Sequence, residues 1–127
     1  MAEPMGQPSP ILDIRVTRRG DVLVVGVAGE LDADTVPEVR AALAPHLSES
    51  ASTLVLDLTD VVFFSSAGLS LLLELRRRVD VFALVATRRA VLRPIQLTTV
   101  SSLLDVHPSV DDALASISSS QQVHQAD

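Results

Sequence analysis

Over residues 11–17 isoleucine and valine alternate with polar side chains, Arg18-Arg19-Gly20-Asp21 supplies turn chemistry, and 22–27 is a second β-branched run. That pattern predicts a β-hairpin. Val36, Val39, Leu43 and Leu47 then recur at helical intervals. Thr35 and Glu38 have the spacing of a capping box at the start of this helix, with Pro37 in its first turn. Pro45 lacks an N–H, so the helix is expected to kink or end near Ala44. The runs 54–58 and 81–85 are short and continuously apolar, as in parallel strands covered on both faces. Between them 66–80 carries leucines at helical spacing. Beyond them 88–97 reads as a helix, 104–107 as a short strand and 109–117 as a last helix. The order ββαβαβαβα predicts an α/β fold, with a mixed, mostly parallel sheet of about five strands, about four helices, right-handed crossovers and an antiparallel edge strand from the hairpin.

The ends of the chain change the picture. Residues 1–10 contain three prolines, and 118–127 is a polar Ser/Gln stretch unable to bury enough surface to offset ordering. Both are expected to be disordered tails around a folded region of 11–117, one domain in a chain of 127 residues. No apolar run reaches the ~18 residues of a membrane span, and the N-terminus has no signal-peptide core, so a cytoplasmic protein is expected.

Composition removes several classes of chemistry. Net charge is −6 and no element carries a basic stripe, so nucleic acid is not an expected partner. With three Phe and neither Trp nor Tyr, the core must be aliphatic. Cysteine is absent, which excludes disulfides, zinc–thiolate sites and thiol catalysis. His46, His107 and His124 are scattered without metal-ligand spacing, and the chain has no lysine for a phosphate-binding P-loop. No metal, cofactor or catalytic group is therefore expected, and His46 and His107 read as surface or helix-end residues.

The informative stretch is 56–69, a buried strand leading through Phe64-Ser65-Ser66 into the Ala67-Gly68-Leu69 start of a helix. In an α/β sheet such a turn lies at the carboxyl end of a strand, where the next helix presents unsatisfied N–H groups. Placement alone makes Ser65 or Ser66 a helix N-cap, a role worth ~1 kcal/mol. A phosphate at the same spot would be tolerated by the helix dipole. Leu69, Leu71, Leu72, Leu73, Leu75 and Val79 cover about half the helix circumference, more than the ~100° needed to face one sheet. The excess is either covered by a neighbouring helix or left as an apolar docking surface beside the serines.

The run Val62-Phe63-Phe64-Ser65-Ser66-Ala67-Gly68-Leu69 resembles the phosphorylation signature of STAS domains in anti-sigma factor antagonists, usually Asp-Ser-Ser-Gly-Leu or Asp-Ser-Ala-Gly-Leu after a Val-x-Phe approach. Gly29-Glu30-Leu31-Asp32, followed by Thr35, resembles the loop that opens the first helix of that family. The likeness spans about 11–117 and implies a STAS fold. Aligned on Gly68-Leu69, the phosphoacceptor falls on Ser66, the usual preceding Asp on Ser65 and the frequent second serine on Ala67. With Ser65 in the acidic position, Ser65 stands as an alternative acceptor.

The resemblance implies a regulator rather than an enzyme. The unmodified protein would bind an anti-sigma factor that is also a serine kinase, and phosphorylation of Ser66 would release it, with a phosphatase as a further partner. Glu30, Asp32, Ser65, Ala67, Gly68 and Leu69 are the expected contact residues. Oligomeric state stays open. A rival reading is a STAS module that is never phosphorylated, serving as an accessory or ligand-binding subunit of a transport or signalling complex, with Ser66 as a cap only. Arg76-Arg77-Arg78 reads as a cationic run complementing a helix C-terminus.

Overall fold

The structure, a computed structural model, describes residues 12–47 and 53–126. The alternating segment forms β1 (Leu12–Arg19), antiparallel to β2 (Val22–Leu31) in a register from Leu12↔Gly29 to Arg19↔Val22. Gly20, at φ 64°, supplies the left-handed residue that the turn requires. Ile11 and the expected N-terminal tail 1–10 lie outside the described residues. The apolar runs form β3 (Thr53–Phe64) and β4 (Val81–Val85), and Val106–His107 forms β5. β2 through β5 pair in parallel, and the spatial order is the chain order β1-β2-β3-β4-β5. The connections are α1 (Val36–Leu47), α2 (Ser66–Arg78) and α3 (Arg89–Gln96), the last followed by a 3-10 turn at Thr99–Leu103, and α4 (Val110–Ala126) ends the fold.

When strands follow one another in order, right-handed crossovers place every connecting helix on the same face. The core shows this. Val39 and Leu43 of α1, Leu71, Leu72 and Leu75 of α2, and Val91 and Ile95 of α3 pack with Leu23, Val25, Leu54, Leu56 and Leu84. The alternate positions Val24, Val55, Ala83 and Val85 point the other way, onto Ala113 and Ile117 of α4. The sheet centre is therefore covered on both faces, as its continuous apolar runs require.

Three details differ from the sequence pattern, and one alternative that it left open is resolved. First, β3 runs on to Phe64 rather than ending near Leu58. The Asp57 carboxylate accepts from the Thr59 N–H (3.0 Å) and hydroxyl (2.8 Å), which satisfies the polar groups where the strand bulges. Between the pairs Gly26↔Asp57 and Ala28↔Asp60, β3 carries one residue more than β2, and it does so again between Gly29↔Val61 and Glu30↔Phe63. Second, α1 continues through Pro45 to Leu47, because a proline this late removes one N–H while burial of Leu43 and Leu47 holds the last turns. Third, α4 runs as far as Ala126, beyond the 109–117 expected of the last helix. Packing of Ala113 and Ile117 nucleates α4, and a Ser/Gln/Ala sequence without Gly or Pro then propagates it. The open alternative is the wide apolar arc of α2, which is covered rather than left as a docking surface: Leu71, Leu72 and Leu75 are buried, and Leu69 and Leu73 are half-buried.

Helix α2 sits tightly on the end of β3. A Cβ on Gly68 would stand 2.8 Å from Cε1 and 2.9 Å from Cδ1 of the buried Phe64 ring, so glycine is what permits this approach. On its outer side α2 is tied to α1 by Arg40, whose Nε and Nη2 donate to the Glu74 carboxylate at 3.0 and 2.9 Å. Hydrogen bonding from Arg40 holds Glu74 below the usual carboxylate range.

Gly68→Ala should lower stability by about 1 kcal/mol in a denaturant titration, overpacking against Phe64 outweighing the better helix propensity of alanine. An unchanged midpoint would mean that the ring gives way freely. Because the Glu74 pKa is depressed on folding, its contribution is present above the ordinary glutamate value of about 4.3 and disappears as pH falls through the lower folded value. Glu74→Gln should therefore melt slightly below the parent at pH 7 and converge with it as pH falls through the lowered folded value, the small size reflecting a half-exposed pair.

Candidate functional site

The two motifs singled out in the sequence meet at the carboxyl ends of β2 and β3. Their pairing outlasts that of β3 with β4, which stops at Asp57↔Val85. It carries Glu30 alongside Phe63 and Leu31 alongside Phe64, and the Ser65 N–H then donates to the Leu31 carbonyl at 3.0 Å. The Gly29 backbone, at φ 113°, turns β2 in a way that favours glycine.

Beyond β2 the loop is knitted by Thr35 and Asp32. The buried Thr35 hydroxyl donates to the Glu30 carbonyl (2.8 Å) and accepts from the Asp32 N–H (2.9 Å). Asp32 Oδ1 accepts from the N–H groups of Asp34 (2.9 Å) and Thr35 (3.1 Å). The capping box expected of Thr35 and Glu38 is thus replaced: Thr35 faces back onto β2, Asp32 meets the first free N–H groups, and Glu38 is exposed. Asp32 is half-buried and committed to its own loop through one oxygen. Glu30 is half-buried, and its carboxylate makes no hydrogen bond among the described residues.

The two serines do different things. Ser65 has extended backbone (φ −102°, ψ 179°) and is the N-cap of α2, its Oγ accepting from the Ala67 N–H at 3.2 Å and its carbonyl from the Leu69 N–H at 3.1 Å. Ser66 is the first helical residue, is exposed, and its hydroxyl makes no hydrogen bond among the described residues. No acidic side chain occupies the first turn, so the positive end of the helix dipole is uncompensated there. Of the other expected contact residues, Gly68 is buried under Phe64, while Ala67 and Leu69 are half-buried against the core. Ser66 is the most open of the set.

Sequence reasoning missed a surface beside the serines. Val62 is 55% exposed and Phe63 50%, because the second bulge of β3 breaks its alternation. Across from them α3 turns Ala90, Pro94 and the following Leu97 outward, and a groove of about 600 Å³ lies between Phe63, Phe64 and that stripe, with Arg89 and Arg93 on its rim. The spacing of 90, 94 and 97 beside an inward pair at 91 and 95 was the available signal: two apolar stripes on one short helix. Arg88, just before α3, donates through Nε to the Thr59 carbonyl (2.8 Å) and fixes α3 against the open edge of β3.

His107 lies on the edge strand β5, two strands from β3, with Nε2 buried and 2.9 Å from Asp105 Oδ2 but off the hydrogen-bond direction. It is more enclosed than a surface residue. Among the described residues no three His, Cys, Asp or Glu side chains gather as metal ligands, and no helix is long and apolar enough to cross a membrane.

A model of the STAS domain family matches residues 13–113. The anti-sigma-F factor antagonist RsfB of Mycobacterium tuberculosis is 27% identical over 116 residues, covering 89% of this chain and 94% of that one. The crystal structure of an anti-sigma factor antagonist from Mycobacterium paratuberculosis superposes with a TM-score of 0.79 at 32% identity, over 87% of this chain and 97% of the other. The Bacillus cell fate determinant SpoIIAA, solved in its phosphorylated form, shares the fold with a TM-score of 0.64 at 17% identity, over 83% and 99%. The family match takes in both the Gly29-to-Asp32 loop and the serine turn, and the chain belongs to the STAS domain family, where its relatives are anti-sigma factor antagonists.

Proposed function

We propose that this chain is an anti-sigma factor antagonist: unmodified, it binds an anti-sigma factor that is also a serine kinase, and phosphorylation of Ser66 releases that partner, so governing sigma-dependent transcription. The observation that carries this reading is the exposed, uncommitted Ser66 hydroxyl at the first position of α2, next to a Ser65 already engaged as the cap. Modifying Ser65 would sacrifice the cap; modifying Ser66 leaves in place the Ser65–Ala67, Ser65–Leu69 and Ser65–Leu31 hydrogen bonds of the turn. A phosphate adds about −1.5 to −2 charges, and the dipole of α2 accommodates an anion at that point. On a contact surface the same charge desolvates badly and repels acidic neighbours. A loss of ~3 kcal/mol already means more than a hundredfold in affinity. The switch needs no refolding, and catalysis resides in the kinase. Such a regulator works in the cytoplasm, beside the transcription machinery, and a phosphatase would reset it.

Incubating the protein with the purified anti-sigma kinases of its own genome and ATP, followed by peptide mass spectrometry, tests this directly. A single phosphate on Ser66 is expected. Ser65→Ala should still be phosphorylated but lose about 1 kcal/mol of stability, whereas Ser66→Ala should keep its stability and accept no phosphate. Ser66→Asp should bind the kinase about a hundredfold more weakly than Ser66→Ala. Phosphate on Ser65 alone would move the switch. No phosphate with any kinase, together with co-purification on a transporter, would establish the accessory-subunit reading instead.

A further inference from the structure

The groove between the end of β3 and α3 combines two properties that the fold does not need. Its floor and walls are apolar, and two of its large side chains stay in water, Phe63 at 50% and Leu97 at 71% exposure. Apolar side chains gathered at the surface and rimmed by charge are the arrangement of an interaction site. Its rim is cationic: Arg89 and Arg93 stand one helical turn apart, both are exposed, and neither has an ion-pair partner among the described residues. In a chain of net charge −6 this is a local reversal of sign.

Helix stability accounts for Arg93, a cation in the last turn of α3, but not for Arg89. Arg89 opens α3, whose first turn has no acidic residue, and a cation at a helix N-terminus opposes the dipole. Nor is the surface remote from the switch. Phe64 lines the groove and Ser66 follows two residues later, within ~7 Å of extended backbone.

We propose that this groove receives an amphipathic acidic segment of the anti-sigma factor, its large apolar side chains lying against Phe63, Pro94 and Leu97 and its carboxylates one turn apart meeting Arg89 and Arg93. The proposal rests on the antagonist reading above and extends it to a second contact. Charge complementarity selects this occupant: a basic segment would be repelled by the rim, and a purely apolar one would leave both guanidinium groups unpaired. It also explains release, because a phosphate on Ser66 brings an anion beside a segment that is itself acidic.

Titration calorimetry with the purified kinase that the phosphorylation assay identifies, at about 50 and about 500 mM NaCl, tests it. The double variant Arg89→Glu/Arg93→Glu should bind about tenfold more weakly at low salt, lose the salt dependence of the parent, and melt close to the parent, since glutamate suits the start of α3 and disfavours its last turn by a similar amount. Leu97→Ser should weaken binding at both salt concentrations. Groove variants within about twofold of the parent, while Ser66→Asp abolishes binding, would overturn the groove and leave the phosphoswitch standing. Weakened groove variants with an inert Ser66→Asp would do the reverse. If sedimentation shows a dimer that the groove variants dissolve without affecting kinase binding, the occupant is a second copy and the proposal falls. It falls equally if no anti-sigma kinase binds the parent.

Discussion

The parallel pairing of β2 with β3 beyond the point where β4 drops away is the constraint on which the site depends. Each motif alone is a loop of ordinary composition. The ladder that brings Leu31 beside Phe64, continued by the hydrogen bond from the Ser65 N–H to the Leu31 carbonyl, turns them into one surface. That ladder survives two bulges because its polar groups remain satisfied, with Asp57 closing the first upon Thr59. The bulges also determine what is displayed. Without the second, the residues after Val61 would continue to alternate; with it, Val62 and Phe63 are both presented to solvent.

Much of this was readable from the residues. Leucines and valines at fixed spacing gave the helices, continuous apolar runs gave the central strands, and the order of elements gave the sheet. What escaped depended on contacts distant in sequence. The length of β3 is set by its partner β2, whose pairing no local pattern announces. Pro45 is a reliable breaker in isolation, yet here the burial of Leu47 keeps the helix intact. Thr35 has the right spacing for a capping box, but a free carbonyl at Glu30 competes for its hydroxyl and wins. At the site, the serines were found by motif and spacing, whereas the division of labour between them required backbone angles and the Ala67 contact. The groove went unnoticed because α3 is short and its outward stripe needs β3 opposite before it encloses anything.

The relation between stability and function at this end of the molecule is one of separation. Gly68, Phe64, Ser65 and Thr35 are enclosed or half-enclosed and hold the turn together, while Ser66, Phe63 and the α3 arginines contribute little to the interior. A charge can therefore be added to or removed from the outer set without disturbing the inner one.

The monotonic strand order has a last consequence for recognition. Open α/β sheets that hold nucleotides or metabolites do so where neighbouring crossovers diverge to opposite faces and leave a crevice between them. Here every connecting helix lies on the same side, so the rim at the strand ends is never split. It offers an open relief with a groove beside it rather than an enclosed cleft, a shape suited to another folded surface.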